Sequence, residues 1–230
     1  MLANGDLVPA VILHRRPYSE TSFILEVLTQ HEGRIGLMAR GERKRSARGQ
    51  GATQLFQPLR LSWRGRGELP TMSACEPAGA AFTLHGKQLI SGLYVNELLV
   101  RLLQRGDPHV ELWPIYLVTL QRLEQADNCE AALRVFEKRL LAAIGYGLEL
   151  RLEAYSERPV NNDVTYRYDP EAGPVVALGR GTVHGDTLAA LDAEELTDVR
   201  QLREAKLLMR ELLNTRLDGR PLNSRRLIRS

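Results

Sequence analysis

Hydrophobic and polar positions alternate in short runs through the first third of the chain, and recur every three to four residues through most of the remainder. The alternating runs cover residues 7–16, 21–28, 33–40, 56–63 and 69–75, are rich in Val, Ile, Leu, Phe and Thr, and predict five strands. Turn residues separate them at Pro17-Tyr18-Ser19, at His31-Glu32-Gly33, through a long Gly/Arg stretch, and at Gly65-Arg66-Gly67. Successive side chains of a strand point to opposite faces. Ile35, Leu37 and Ala39 therefore share an inner face, with Arg34, Met38 and Arg40 outside. By the same parity Leu59, Leu61 and Trp63 point inward, opposite Phe56 and Arg60. Five strands this short suit a small barrel.

Beyond Glu76 the period lengthens. Val95, Leu98, Leu99, Leu102 and Leu103 mark one face of a helix that Gly106-Asp107-Pro108 ends. A second helix is expected over 110–125, beginning close to Trp113 so that Pro114 falls in the first turn, where a missing N–H costs little. Asp127 and Glu130 form a capping-box pattern before a third helix, whose stripe is Leu133, Phe136, Leu140 and Ile144 and which ends near Gly145. Residues 149–185 carry Pro159, Pro170, Pro174 and several glycines, with extended pieces at 165–168 and 174–178 that suggest a small β-ribbon or an ordered loop. A last helix runs from Asp198 to Arg216, with Val199, Leu202, Ala205, Leu208, Met209 and Leu212 on its inner side, and Gly219 and Pro221 stop it. Glu194-Glu195 is placed near a helix start, where carboxylates favour the dipole. The fold class is α+β: a five-stranded barrel over 1–80, then a helical bundle over 81–230 with the insertion at 149–185. At 230 residues the chain suits two modest cores.

Charge changes the picture. Between Arg34 and Arg66 stand nine basic residues and one acid, Glu42, a local charge of 9 − 1 = +8. The whole chain is +3, so the rest sums to 3 − 8 = −5. Clustered cations of this kind fit a polyanion, because they displace the counterions condensed on phosphates. A barrel with basic and aromatic residues in its strands and loops reads as an oligonucleotide-binding (OB) fold, although an SH3-like barrel would show much the same pattern. The candidate nucleic-acid contacts are Arg15, Arg16, Tyr18, Arg34, Arg40, Arg43, Lys44, Arg45, Arg48, Arg60, Arg64 and Arg66. Tyr18 either stacks on a base or packs on the barrel rim beside Pro17. The C-terminal run adds Arg225 and Arg226, interleaved with Leu222, Leu227 and Ile228, which reads both as a packed strap and as a second contact with phosphate.

Several classes are set aside by what the sequence lacks. Cys75 and Cys129 stand alone, too few for a disulfide framework or a structural zinc site, and read as small buried hydrophobes. His14, His31, His85, His109 and His184 are dispersed, so no metal site and no cofactor is expected. Phosphate-binding G-x-x-x-x-G-K-[ST], dinucleotide, zinc-hydrolase and serine-hydrolase motifs are all missing, which favours a binding protein over an enzyme. With no leader pattern and no membrane-length apolar segment, a cytoplasmic location is expected.

Three stretches carry a resemblance. They are Val11-Ile12-Leu13-His14-Arg15-Arg16-Pro17-Tyr18-Ser19-Glu20-Thr21-Ser22, then Gly33-Arg34-Ile35-Gly36-Leu37-Met38-Ala39-Arg40-Gly41, then Leu55-Phe56-Gln57-Pro58-Leu59-Arg60-Leu61-Ser62-Trp63. They are similar to the N-terminal domain of the bacterial recombination mediator family RecO. Glu137-Lys138-Arg139-Leu140-Leu141 with Gly145-Tyr146, and Gly219-Arg220-Pro221-Leu222-Asn223-Ser224-Arg225-Arg226-Leu227, resemble that family's helical domain and closing segment. The resemblance implies an OB-fold followed by a helical domain in a non-enzymatic, nucleoid-associated DNA repair protein. Such a protein binds single- and double-stranded DNA, anneals complementary strands, and works with RecR to help load RecA onto DNA covered by single-strand binding protein. Some members carry a Cys-rich zinc motif in the helical domain; this chain has no cysteine from Glu130 onward, so the insertion must be held by packing and hydrogen bonds. The acidic tail of single-strand binding protein needs an apolar pocket rimmed by cations, for which Arg122, Arg134, Lys138 and Arg139 are the candidates; they equally suit solvent-facing helix charge. An RNA-binding or translation-associated OB protein is the alternative, and a nuclease with unrecognised acids is a third reading.

Overall fold

The computed structural model describes residues 6–49, 51–179, 181–217 and 219–227, with the side chains of Arg226 and Leu227 outside the description. Residues 1–124 with 222–230 form one compact unit, and 125–221 form another.

In the first unit β1 (Val8–Pro17), β2 (Phe23–Thr29), β3 (Arg34–Ala39), β4 (Leu59–Arg64) and β5 (Thr71–Pro77) close into a barrel in the order β1-β2-β3-β5-β4, with β4 returning to β1. All pairings are antiparallel except β3 with β5. The barrel core is Ala10, Ile12, Phe23, Leu25, Val27, Leu37, Ala39, Leu59 and Leu61, with Ile35, Trp63 and Met72 packed against it. Strand parity assigns Ile35, Leu37 and Ala39 of β3, and Leu59, Leu61 and Trp63 of β4, to this same face. Phe56 departs from it: it precedes β4 with a positive φ of 60° and is buried against the helix α2 (Gly86–Leu102) at Gly92.

A β-bulge lies between Ile12 and His14, where the register with β2 shifts. The carbonyl of Leu13 there accepts a hydrogen bond from Asn96 Nδ2 of α2 at 3.0 Å, and Asn96 Oδ1 accepts from the Tyr116 hydroxyl at 2.8 Å. Leaving that buried carbonyl unpaired would cost about 1–3 kcal/mol, so Asn96 ties helix to barrel. Tyr116 belongs to α3 (Leu112–Gln125), whose start agrees with the proline argument. Burial raises the pKa of this phenol despite its hydrogen bond to Asn96.

One helix in this unit leaves no mark in the periodicity. α1 (Glu42–Ala47) sits in the Gly/Arg stretch between β3 and β4, entered through Gly41 at φ 76°, a conformation that favours glycine.

The second unit contains α4 (Glu130–Ala143), strands β6 (Thr165–Asp169), β7 (Gly173–Val176) and β8 (Val183–His184) in the order β7-β6-β8, α5 (Gly185–Ala193) and α6 (Val199–Arg216). The ribbon expected in the insertion is β6 with β7. α4 begins without the Asp127 box: the Asn128 side chain accepts the Glu130 N–H instead, at 3.0 Å. Asp198 caps α6 by accepting from Arg200 N and Gln201 N, while Val199 is exposed and not on the inner side. Glu194-Glu195 follows the end of α5 and does not start a helix; Glu194 itself adopts φ 62° as the C-cap. Hydrogen bonds hold the insertion: the Tyr166 hydroxyl donates to Glu153 and accepts from Asn161 N, and the Tyr168 hydroxyl donates to the Glu149 carbonyl. A four-residue helix, α7 (Ser224–Leu227), closes the described chain within the first unit.

Candidate nucleic-acid interface

The β1–β2 turn and α1 are braced into one body. Arg43 donates its backbone N–H to the Thr21 carbonyl at 3.0 Å and its Nη1 to the Ser19 carbonyl at 2.7 Å. Inside the turn Ser19 Oγ accepts from Ser22 N at 3.2 Å. Arg15 reaches from β1 to the Thr53 carbonyl at 3.0 Å, its guanidinium 5.5 Å from the centre of the Phe23 ring. Glu42 is turned inward, accepting the Ala52 N–H at 3.1 Å and pairing with Arg45 at 3.2 Å. The acid of this stretch is thereby buried, while Arg16, Arg40, Arg43, Lys44, Arg45 and Arg48 are exposed. Tyr18 stands at the turn with 64% of its surface open to solvent. Such a surface offers cations for phosphates and a ring for a base.

The remaining basic candidates divide. Arg64 donates to Ser73 Oγ at 3.0 Å across β5, and Arg66 is exposed in the β4–β5 turn. That turn meets the end of β3, where Met38 N donates to the Pro70 carbonyl, so both lie near the strand end that leads into Arg40. Arg60 pairs in register with Pro9 and Glu76. Arg34 lies at the other end of β3, about 20 Å from Arg40 at ~3.3 Å per residue. It pairs with Glu26 at 2.5 Å and donates Nε to the Leu103 carbonyl at 3.0 Å. Glu26 is shared with Arg105, whose guanidinium lies over Gly36 so closely that a Cβ there would be 2.7 Å from Cζ. Arg105 carries no signal in the sequence, because its partner stands 79 positions away.

Arg225 places its guanidinium 5.8 Å from the centre of the Tyr94 ring. The side chain of Arg226 and residues 228–230 lie outside the described residues.

The four helical candidates are not alike. Arg122 is exposed on α3 of the first unit. Arg134 is buried on α4 and pairs with buried Glu137 at 2.7 Å. Lys138 donates to the carbonyls of Leu191 and Asp192 at the end of α5 and pairs with Glu194 at 3.2 Å. Arg139 grips the same Glu194 through Nε at 2.9 Å and Nη2 at 2.5 Å. Burial opposes ionisation of Glu194, but Arg139 and Lys138 outweigh it and hold its pKa below the ordinary carboxylate value.

Among the described residues no group of three or more His, Cys, Asp or Glu is arranged to hold a metal ion, and no helix is long and apolar enough to cross a membrane. Burial, with Glu42 nearby, pushes the Cys75 thiol up to about 11, which suppresses thiolate chemistry.

A closed five-stranded barrel with a cationic loop surface, followed by a helical region, is the architecture of an OB-fold domain joined to a helical domain. Comparison with known proteins gives the family. The model for the N-terminal domain of recombination protein O matches residues 7–81, and the model for its C-terminal domain matches 85–226. The DNA repair protein RecO of Alkalilimnicola ehrlichii is 49% identical over 235 residues, covering 98% of this chain and 93% of that protein. Those of Coxiella burnetii and Yersinia pestis are 42% and 43% identical, each covering 96% of this chain, with 97% and 92% of their own lengths matched. The chain belongs to the RecO family, and its function lies in DNA repair and recombination.

Proposed function

We propose that this protein is a recombination mediator that binds single- and double-stranded DNA and anneals complementary strands. With RecR it helps to load RecA onto DNA covered by single-strand binding protein. The observation that carries the reading is the braced turn and α1, with cations outward and Glu42 inward. Annealing needs two polyanions to approach with their base edges free, and a rigid cationic surface lowers their repulsion without turnover chemistry. The protein therefore acts as a binding protein and not an enzyme, in the cytoplasm at the nucleoid, with the barrel over 1–80 as the DNA-binding domain and 81–230 supplying protein contacts. On the second unit Lys138 and Arg139 are assigned to the acidic tail of single-strand binding protein, with buried Arg134 supporting the same helix; Arg122, on the first unit, is a separate candidate for that tail. Because Glu194 already occupies Lys138 and Arg139, a tail carboxylate engages them by exchange with it.

The test is annealing of complementary strands covered by single-strand binding protein, with Arg43, Lys44, Arg45 and Arg48 all replaced by Ala. Affinity should fall roughly tenfold to a hundredfold whatever the DNA sequence, and the salt dependence should flatten by about 0.7 log units for each single-strand phosphate no longer neutralised. An unchanged salt slope would move the site elsewhere. Cleavage of labelled DNA with Mg²⁺ that survives repurification would reject the non-enzymatic reading.

A further inference from the structure

The C-terminal segment is seated on α2 by a carboxylate. Glu97 accepts the backbone N–H of Asn223 and of Ser224, each at 2.9 Å, and the Ser224 hydroxyl at 2.7 Å; Arg101 stands 3.8 Å away. Leu222 and Ser224 are buried, and Arg225 lies over the Tyr94 ring, one helical turn before Glu97. Residues three apart share a helix face, so Tyr94 and Glu97 make one seat for the segment. The adjacent residue, Asn96, holds the β1 bulge through the Leu13 carbonyl. One turn of α2 therefore carries the tail on one side and, on another, the strand that leads into Arg15 and Arg16.

We propose that Glu97 is a positioning residue for nucleic-acid binding: it seats the C-terminal segment so that Arg225 extends the cationic surface of the first unit toward phosphate. This rests on the DNA-binding reading above. The proposal reverses a simple electrostatic expectation, since removing an acid from a protein that binds a polyanion ordinarily tightens binding. Here removal should weaken it, because the acid anchors a cation.

Binding of the full chain to a fluorescein-labelled single-stranded oligonucleotide, followed by anisotropy across a salt series, decides the matter. Glu97→Gln and Arg225→Ala should each weaken binding about threefold to tenfold and flatten the salt slope by about 0.7 log units. The double variant should be no weaker than the worse single variant, because both remove the same phosphate partner. Glu20→Gln, an exposed acid in the β1–β2 turn, should bind as tightly as the parent or tighter, which fixes the sign for an acid that anchors nothing. Binding by Glu97→Gln that equals or exceeds the parent overturns the proposal, as does weaker binding with an unchanged salt slope. If Glu97→Gln does not fold, Arg225→Ala decides alone, and parental affinity in it overturns the proposal. A parent chain with no salt-dependent DNA binding would instead overturn the proposed function.

Discussion

On α1 and its C-cap, Lys44 and Arg48 are exposed and the acid of the stretch, Glu42, faces inward. On α4, Arg134, Lys138 and Arg139 each close on a carboxylate. The residue types are the same, and what separates them is where the acids sit. In the first unit an exposed cation keeps its hydration and its counterions, which a polyanion can displace. In the second, Lys138 completes the carbonyl end of α5, and Arg139 and Arg151 fasten Glu194 and Asp192. A count of cations does not separate a binding surface from a set of structural ties; the position of the partner does.

The comparison is broken most forcefully at the buried pair. Removing one member of a buried ion pair leaves the other charge uncompensated, at about 3–5 kcal/mol. Arg134 retains 4% of its surface and Glu137 none. Glu137→Ala should lower stability in urea unfolding by about that amount and leave DNA affinity of the remaining folded protein unchanged. A full-length variant of parental stability with weakened DNA binding would show that the cations of the two units do the same work.

Much of the barrel is legible because a strand with one apolar face writes its register into the sequence, as Ile35, Leu37 and Ala39 do. α1 is not, since six residues between glycines span less than two turns and give no periodicity to read. α5 is hidden by the Gly- and Pro-rich setting before it, so the sequence pattern puts Glu194 at the wrong end of a helix. The interface is legible as charge and illegible as pairing. Parity puts Arg34 outside the barrel, but Glu26 across the sheet and the Leu103 carbonyl 69 positions away decide what its guanidinium does.

The next sharpest test separates bracing from binding across α1 and its C-cap. Lys44→Ala with Arg48→Ala removes exposed cations, whereas Arg43→Ala also removes the tie to Ser19. The double variant should bind DNA roughly tenfold more weakly, because two phosphates lose their cations, with its melting temperature unchanged. Arg43→Ala should lose affinity and also speed amide exchange around Thr21. Equal effects on exchange from both variants would mean that the turn is not held by Arg43.

A smaller effect is expected from releasing the second unit's cations. Glu194→Gln frees Lys138 and Arg139 from a full negative charge, so an acidic peptide with an apolar terminus should bind about twofold to fivefold more tightly, within the range of a partly exposed ion pair. Calorimetric titration with such a peptide reads this directly. Weaker binding would place the peptide elsewhere, with Arg122 the next residue to replace.

The smallest difference is in acid sensitivity. In the second unit Arg200 lowers the pKa of Asp186, and Glu194 and Glu204 are lowered because Arg139 with Lys138, and Thr187 with His184, outweigh the effect of burial. In the first unit Glu97 is lowered in the same way, with burial outweighed by the Ser224 and Asn223 donors and Arg101. A carboxylate whose folded value lies below its unfolded one stabilises the fold fully above the unfolded value, near 4.5 for Glu and 3.8 for Asp, and that contribution is lost as pH falls through the folded value. Among the described residues three such groups tie the second unit and one the first, so on acidification from about pH 5 the second should loosen first. Both tryptophans, Trp63 and Trp113, belong to the first unit, so their fluorescence reports on it alone, while far-UV circular dichroism reports the helices of both. The dichroism should therefore change at a higher pH than the fluorescence. Coincident transitions, or fluorescence leading, would mean that the acid-sensitive ties are not concentrated where the cations are paired.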